Sequence, residues 1–185
     1  MKNNLIHISS EIFDVELDLR YASSNNVCKT KLYKNNICYL HKDATENLKK
    51  AIKIAGELNL RFKIFDGFRP INVQRIMYNK FPEEKNNKIS FVSNPDSGSI
   101  PHCRGVAIDL TLIDKNKNEL DMGSDFDEFS ELAYHNCTSI SQQAIENRKI
   151  LLKIMTDAGW DFYSKEWWHY QLFNPRIYPV IDYDI

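Results

Sequence analysis

VAIDLTL, residues 106–112, alternates Val106, Ile108, Leu110 and Leu112 with Ala107, Asp109 and Thr111. A period of two is that of a β-strand, so the four larger apolar side chains share one face and Asp109 projects from the other. Working outward, Leu60, Phe62 and Ile64 alternate with Arg61 and Lys63 and predict a second strand, and the aromatic WWHYQLF at 167–173 suits a third. Two helices are marked by apolar spacing. The first runs from Asp43, as cap, to Leu58, with Ala44, Leu48, Ala51, Ile52, Ala55 and Leu58 as its stripe. The second starts at Ser141, buries Ala144, Ile145, Leu151, Leu152, Met155 and Ala158, and stops at Gly159. Helices flank strands without a regular β-α-β rhythm, which predicts an α+β fold: a mainly antiparallel sheet flanked by helices.

The chain has 185 residues, 43% of them hydrophobic, enough for one compact domain spanning 1–185 with a core of its own. No repeat or linker divides it, and EEKNNK at 83–88 reads as a surface loop. Lys and Arg number 24 against 25 Asp and Glu, a net charge of -1. That balance gives no field to gather nucleic acid or an anionic membrane. No run approaches the ~20 apolar residues of a membrane span. The N-terminal MKNNLIHISSEIFDVELDLR lacks the apolar core of a secretory signal, so a cytoplasmic location is expected, or a periplasmic one if a precursor segment is missing. Cys28, Cys38, Cys103 and Cys137 form no C-x-x-C pair and read as free thiols.

A carboxylate in mid-strand needs a partner, and a solvated or salt-bridged Asp109 is the ordinary account. His102 offers another. It lies seven residues earlier, an odd separation, but Pro101 and Gly105 allow a bend that brings it to Asp109. In KEWWHY, residues 165–170, Glu166 and His169 share a face on a helix but not on a regular strand. The aromatic content favours a strand, with Glu166 at its irregular start and His169 within it. An exposed Glu and a hydrogen-bonded core histidine are the alternative. Together, two histidines, one aspartate and one further glutamate match a catalytic zinc site: three protein ligands, an open position for water, and a base that does not bind metal. In FDGFRP, residues 65–70, Pro70 suits the start of a helix and leaves Arg69 at a bend. Arg69 is either a structural cation paired with a nearby carboxylate or a donor to the oxyanion of a tetrahedral intermediate.

PHCRGVAIDLT, EWWHY, DGFRP and MGSDFD resemble, in order and approximate spacing, the D-alanyl-D-alanine dipeptidases of the VanX type. The likeness runs from LRYASSNN at 19–26 to EWWHY. It implies a compact α+β fold similar to D,D-carboxypeptidases of the same metallopeptidase superfamily and one Zn2+ per chain. It makes His102, Asp109 and His169 the ligands, Glu166 the general base and Arg69 the transition-state stabiliser. It also implies two contacts to a small dipeptide substrate: Asp127, at the end of MGSDFD, for the free amino group, and Tyr21 on the same side. The residues alone would make Asp127 a helix-start carboxylate. One position departs from the pattern: Ile100 stands where the family usually carries Ser, with Ser99 beside it. Cys103 reads as a structural thiol, and His7, His41 and His135 have no matched partner. Two other readings keep the zinc site: a D,D-carboxypeptidase acting on longer cell-wall peptides, and a non-catalytic zinc-stabilised binding domain.

Overall fold

In the computed structural model the described residues are 4–81 and 91–184; the expected loop EEKNNK lies outside them. A five-stranded sheet has the order β2 (Val15–Leu17), β4 (Arg61–Asp66), β5 (Ala107–Ile113), β7 (His169–Gln171) and β6 (Asp161–Phe162). All neighbours in it are antiparallel except β2 and β4, which run parallel. The sheet is therefore mixed, and mainly antiparallel as expected. A separate antiparallel pair joins β1 (Leu5–Ile8) to β3 (Cys38–His41).

Two 16-residue helices, α2 (Lys42–Glu57) and α4 (Gln142–Asp157), pack on each other, α2 also against β4 and α4 against β6. A four-residue helix, α1 (Ser10–Phe13), leads into β2, and α3 (Ile71–Lys80) follows β4 after the bend at Pro70. All seven residues of β5 are buried, including Asp109. The strand is covered on both faces, so a solvated Asp109 is excluded.

Two expectations for α2 needed correction. Asp43 does not cap α2: β3 runs straight into the helix, and His41 holds the cap position with its Nδ1 accepting from the Asp43 N–H at 3.2 Å. Asp43 sits in the first turn, where its charge suits the helix dipole. Leu58 is 52% exposed, because the helix has already ended at Glu57 and the chain turns through Leu58 and Asn59. Ser141 caps α4 as expected, its hydroxyl accepting from the Ala144 N–H at 3.0 Å.

The larger surprise in α4 is polar. Ile145 and Leu152 are only half-buried, whereas Asn147 and Arg148 lie inside. Arg148 donates to the carbonyls of Met122, Leu132 and Tyr134 and to Ser124 Oγ, at 2.6–3.2 Å. It gathers the irregular segment 122–134 that has no ladder of its own. Burial lowers its pKa to about 10, since its partners are mostly neutral carbonyls and a hydroxyl. Among the described residues all four cysteines are free, three of them buried.

Arg148→Met keeps the volume of the stem but leaves several buried acceptors without a donor. A loss of about 3 kcal/mol or more in urea unfolding is expected, against a change near zero for Lys149→Met on the exposed side.

Candidate active site

Three backbone devices bring the chemical groups together. The first is register: in the β5–β7 pairing Asp109 lies directly opposite His169. The second is a bulge in β4, where Ile64 faces Leu110 but Asp66, not Phe65, faces Asp109. Regular alternation would have put Asp66 on the face of Phe62 and Ile64; the extra residue turns it to the side of Asp109. The third is a single helical turn, Pro101–Arg104, that ends on Gly105 at φ 69 and carries His102 to the mouth of β5. A Cβ on Gly105 would stand 2.9 Å from Leu5 Cδ2 and 3.1 Å from the His41 nitrogen, so both its conformation and its surroundings call for glycine. The predicted bend is thus this turn.

The ligand-type atoms of His102, Asp109 and His169 all lie within 4.8 Å of one another, and all three residues are buried. His102 Nε2 is 3.2 Å from His169 Nδ1 and 3.3 Å from Asp109 Oδ1; His169 Nδ1 is 3.0 Å from that same oxygen. Ligands of a tetrahedral zinc ion, at about 2.0–2.2 Å from it, stand roughly 3.3–3.5 Å apart. The outer nitrogens fix the tautomers. His102 Nδ1–H donates to the Gly67 carbonyl at 2.7 Å, and His169 Nε2–H donates to Gln171 Oε1 at 3.2 Å. The inner nitrogens, Nε2 of His102 and Nδ1 of His169, are then left with lone pairs directed at the shared point. This donor set fits a divalent metal. The two histidines hold the Asp109 carboxyl well below its usual range, outweighing the opposing effect of burial.

Glu166 lies in the irregular stretch before β7, with Oε2 3.8 Å from His169 Nδ1. Its backbone N–H donates to Tyr163 O, and the next residue, Trp167, donates to Ala133 O, which ties the stretch to the 131–135 segment. Burial pushes the Glu166 carboxyl up to about 8; His169 and Arg69 oppose that rise, while Asp109 and Asp127 add to it. The alternative of an exposed glutamate does not hold.

Arg69 has the carboxylate partner that its sequence context offered. It is buried, its Nε and Nη2 donate to Asp66 Oδ2 at 2.9 and 2.7 Å, and Nη1 donates to Gln74 Oε1 at 2.9 Å. Asp66 is wholly buried and also accepts from the Tyr33 hydroxyl at 2.5 Å. The guanidinium also lines the cleft, 3.6 Å from Asp109 Oδ2 and 4.9 Å above the Tyr21 ring.

Tyr21 and Asp127 meet as a pair: the phenol hydroxyl lies 2.9 and 3.0 Å from the two carboxylate oxygens. Asp127 is not at a helix start; it sits in a turn at φ 61, a conformation that Asp tolerates. Its carboxyl is pushed up to about 7, by burial first, with the Tyr21 hydroxyl pulling the other way. Both residues line a cavity of about 310 Å³ with Arg69, His102, Glu166 and His169. Ser99 and Ile100 form part of its wall, and Ile100 is held at φ 42, a strained conformation for a β-branched residue.

Sequence reasoning missed the supporting shell: Asp66, Gln74, Tyr33, Gln171 and the Gly67 carbonyl. Asp66 had a signal, a carboxylate three residues before Arg69 at a strand end. Gly67 had none, since its need is tertiary: a Cβ there would lie 2.8 Å from Tyr39 O and 2.9 Å from Cys38 Sγ. His41 serves as the α2 cap, Cys103 is buried, His7 is exposed and stands against Tyr39, and His135 packs against Phe162 and Tyr170.

Residues 1–181 match the family model described as D-ala-D-ala dipeptidase, Peptidase_M15. A D-alanyl-D-alanine dipeptidase of Escherichia coli (strain K12) is 38% identical over 168 residues, 91% of this chain and 84% of that protein. One from Enterococcus faecium is 32% identical over 94% of this chain and 93% of its own length. Among solved structures, the LD-carboxypeptidase LdcB aligns with TM-score 0.51 over 94% of this chain and 71% of that one; at 18% identity the likeness is one of fold. The buried donor cluster, the cleft beside it and these full-length matches agree: the chain belongs to the Peptidase_M15 metallopeptidases, in the family of the D-alanyl-D-alanine dipeptidases.

Proposed function

We propose that the protein is a zinc dipeptidase that hydrolyses free D-alanyl-D-alanine, with His102 Nε2, His169 Nδ1 and Asp109 as ligands. The observation that carries the substrate reading is the Tyr21–Asp127 pair in the same cleft as the donor cluster. When bound, zinc supplies Lewis acidity at the scissile carbonyl and makes the attacking water more acidic.

The protein's own groups do the rest. Glu166, close to His169 and with its pKa raised toward 8, is the base that takes the proton from water and returns it to the leaving amine. Arg69, locked by Asp66 and Gln74, offers its cleft-facing edge to the oxyanion with no side-chain reorganisation at the moment of reaction. Asp127 receives the substrate ammonium. A carboxyl poised near 7 ionises fully when a cation comes against it, and Tyr21 holds it in place. An acylated amine brings no charge, and Asp127 would then be buried against a group that cannot satisfy it. This favours a free dipeptide over a longer peptide.

Three measurements test the reading. N-acetyl-D-alanyl-D-alanine should be turned over at least about 100-fold less efficiently than the free dipeptide; equal kcat/KM would sink the dipeptidase assignment and favour a carboxypeptidase. Glu166→Ala should lower kcat by about 100-fold or more while metal analysis still finds zinc; unchanged activity refutes the base, and lost zinc makes Glu166 a ligand. The third is stability against pH. Asp127 has a folded pKa near 7 against an ordinary 3.8, so it contributes stability below pH 4 that is lost as pH rises through 7. In metal-free protein Asp127→Asn should therefore match the parent in Tm near pH 4 and exceed it at pH 8; the opposite trend would mean that the carboxylate is stabilised in the fold.

A further inference from the structure

A second cavity, of about 490 Å³, lies beside the first. Its floor is the sheet at Phe65 and Thr111, one wall is the 119–126 segment, and Trp167 and Arg20 stand at its sides. Phe126 lines this cavity while the next residue, Asp127, lines the cleft, so the two spaces share a wall. Phe126 is fixed there by rings on three sides, Phe65 at 5.0 Å, Trp168 at 5.5 Å and Tyr21 at 6.1 Å.

Most polar groups around this cavity are already engaged. Glu119 holds Lys63 at 2.7 Å. Asp121 accepts from the Gly123 N–H and the Ser141 hydroxyl, and Ser124 Oγ accepts from Trp167 Nε1 and Arg148. Three groups are left over among the described residues. Thr111 is 1% exposed and its hydroxyl has no hydrogen-bond partner, although buried polar atoms are nearly always paired. Arg20 lies over the Phe65 ring at 4.7 Å and uses only Nε, on Asp18, which frees both terminal nitrogens. The Asp125 carboxylate is exposed and takes no hydrogen bond or ion pair.

One fixed cation with a hydroxyl, and one anion, is the complement of a molecule carrying both an α-carboxylate and an α-ammonium group. We propose that this cavity binds a free amino acid zwitterion, its carboxylate on Arg20 and Thr111 and its ammonium on Asp125. The residues involved take no part in the cleft chemistry, so the site stands or falls independently of the dipeptidase reading.

Trp167 provides the probe, because it lines this cavity and its indole N–H donates to Ser124, another lining residue, whereas Trp168 lines the cleft. D-alanine, L-alanine and glycine would each be titrated into the full chain while the Trp167 indole N–H resonance is followed. The expected result is a saturable shift that Asp125→Asn, Arg20→Gln or Thr111→Val weakens at least tenfold. Thr111→Ser, which keeps the hydroxyl, and Asp127→Asn, which alters only the cleft, should leave the shift intact. Absence of a saturable shift overturns the proposal, as does equal affinity in the Asp125→Asn variant, whose side chain is exposed. Loss of the shift in Asp127→Asn would place the ligand in the cleft instead. Acetate binding as well as the amino acids would reduce the cavity to an anion site and overturn the zwitterion assignment.

Discussion

Everything at the candidate centre depends on a cross-strand pair, Asp109 of β5 opposite His169 of β7. Directly opposed residues in an antiparallel ladder hold their Cβ atoms about 4.5–5.5 Å apart. Side chains of ordinary length then reach a common point without distortion. A slip of one residue would turn Asp109 to the apolar face and leave a charge among Ile108, Leu110 and the helices. The hydrophobic alternation of β5 therefore guards the register, and with it the donor cluster: the core residues and the site residues are two faces of one strand.

The second layer is a buried charge system arranged so that each group has a counterpart. Arg69 is neutralised by Asp66, which Tyr33 also supports, and it lines the cleft. Removing one member of such a set leaves an uncompensated buried charge, which is why these groups form a unit. Glu166 and Asp127 lack an equivalent fixed cation, and burial raises both carboxyls. Glu166 and Asp127 are thus the carboxyls shifted toward the protonated form, whereas the histidines shift Asp109 the other way. That division follows from how closely each is compensated: Asp109 Oδ1 lies 3.0 and 3.3 Å from two histidine nitrogens, whereas Glu166 is 3.8 Å from one.

Much of this was legible in the sequence, for definite reasons. The strand at 107–113, the Ser141 cap of α4 and the bend before Asp109 are encoded by local periodicity, capping chemistry and Pro–Gly placement. The error at Asp43 arose because a strand leads into α2 without a loop, so a side chain not usually considered, His41, became the cap. Arg148 was unreadable because a buried arginine satisfied by carbonyls has no local signature; its partners at 122–134 lie up to 26 residues away.

The sequence by itself determined the elements, the apolar face of β5 and the residue types able to hold a metal and move a proton. Only the tertiary structure decided which nitrogen of each histidine faces the shared point. It also decided that Asp66 turns to the side of Asp109 through the β4 bulge, and that Tyr21 grips Asp127 across 106 residues. The physical reason is range. Periodicity and capping act over a turn or a strand, whereas tautomers, bulge phase and buried ion pairing are set by partners that meet only when distant segments pack.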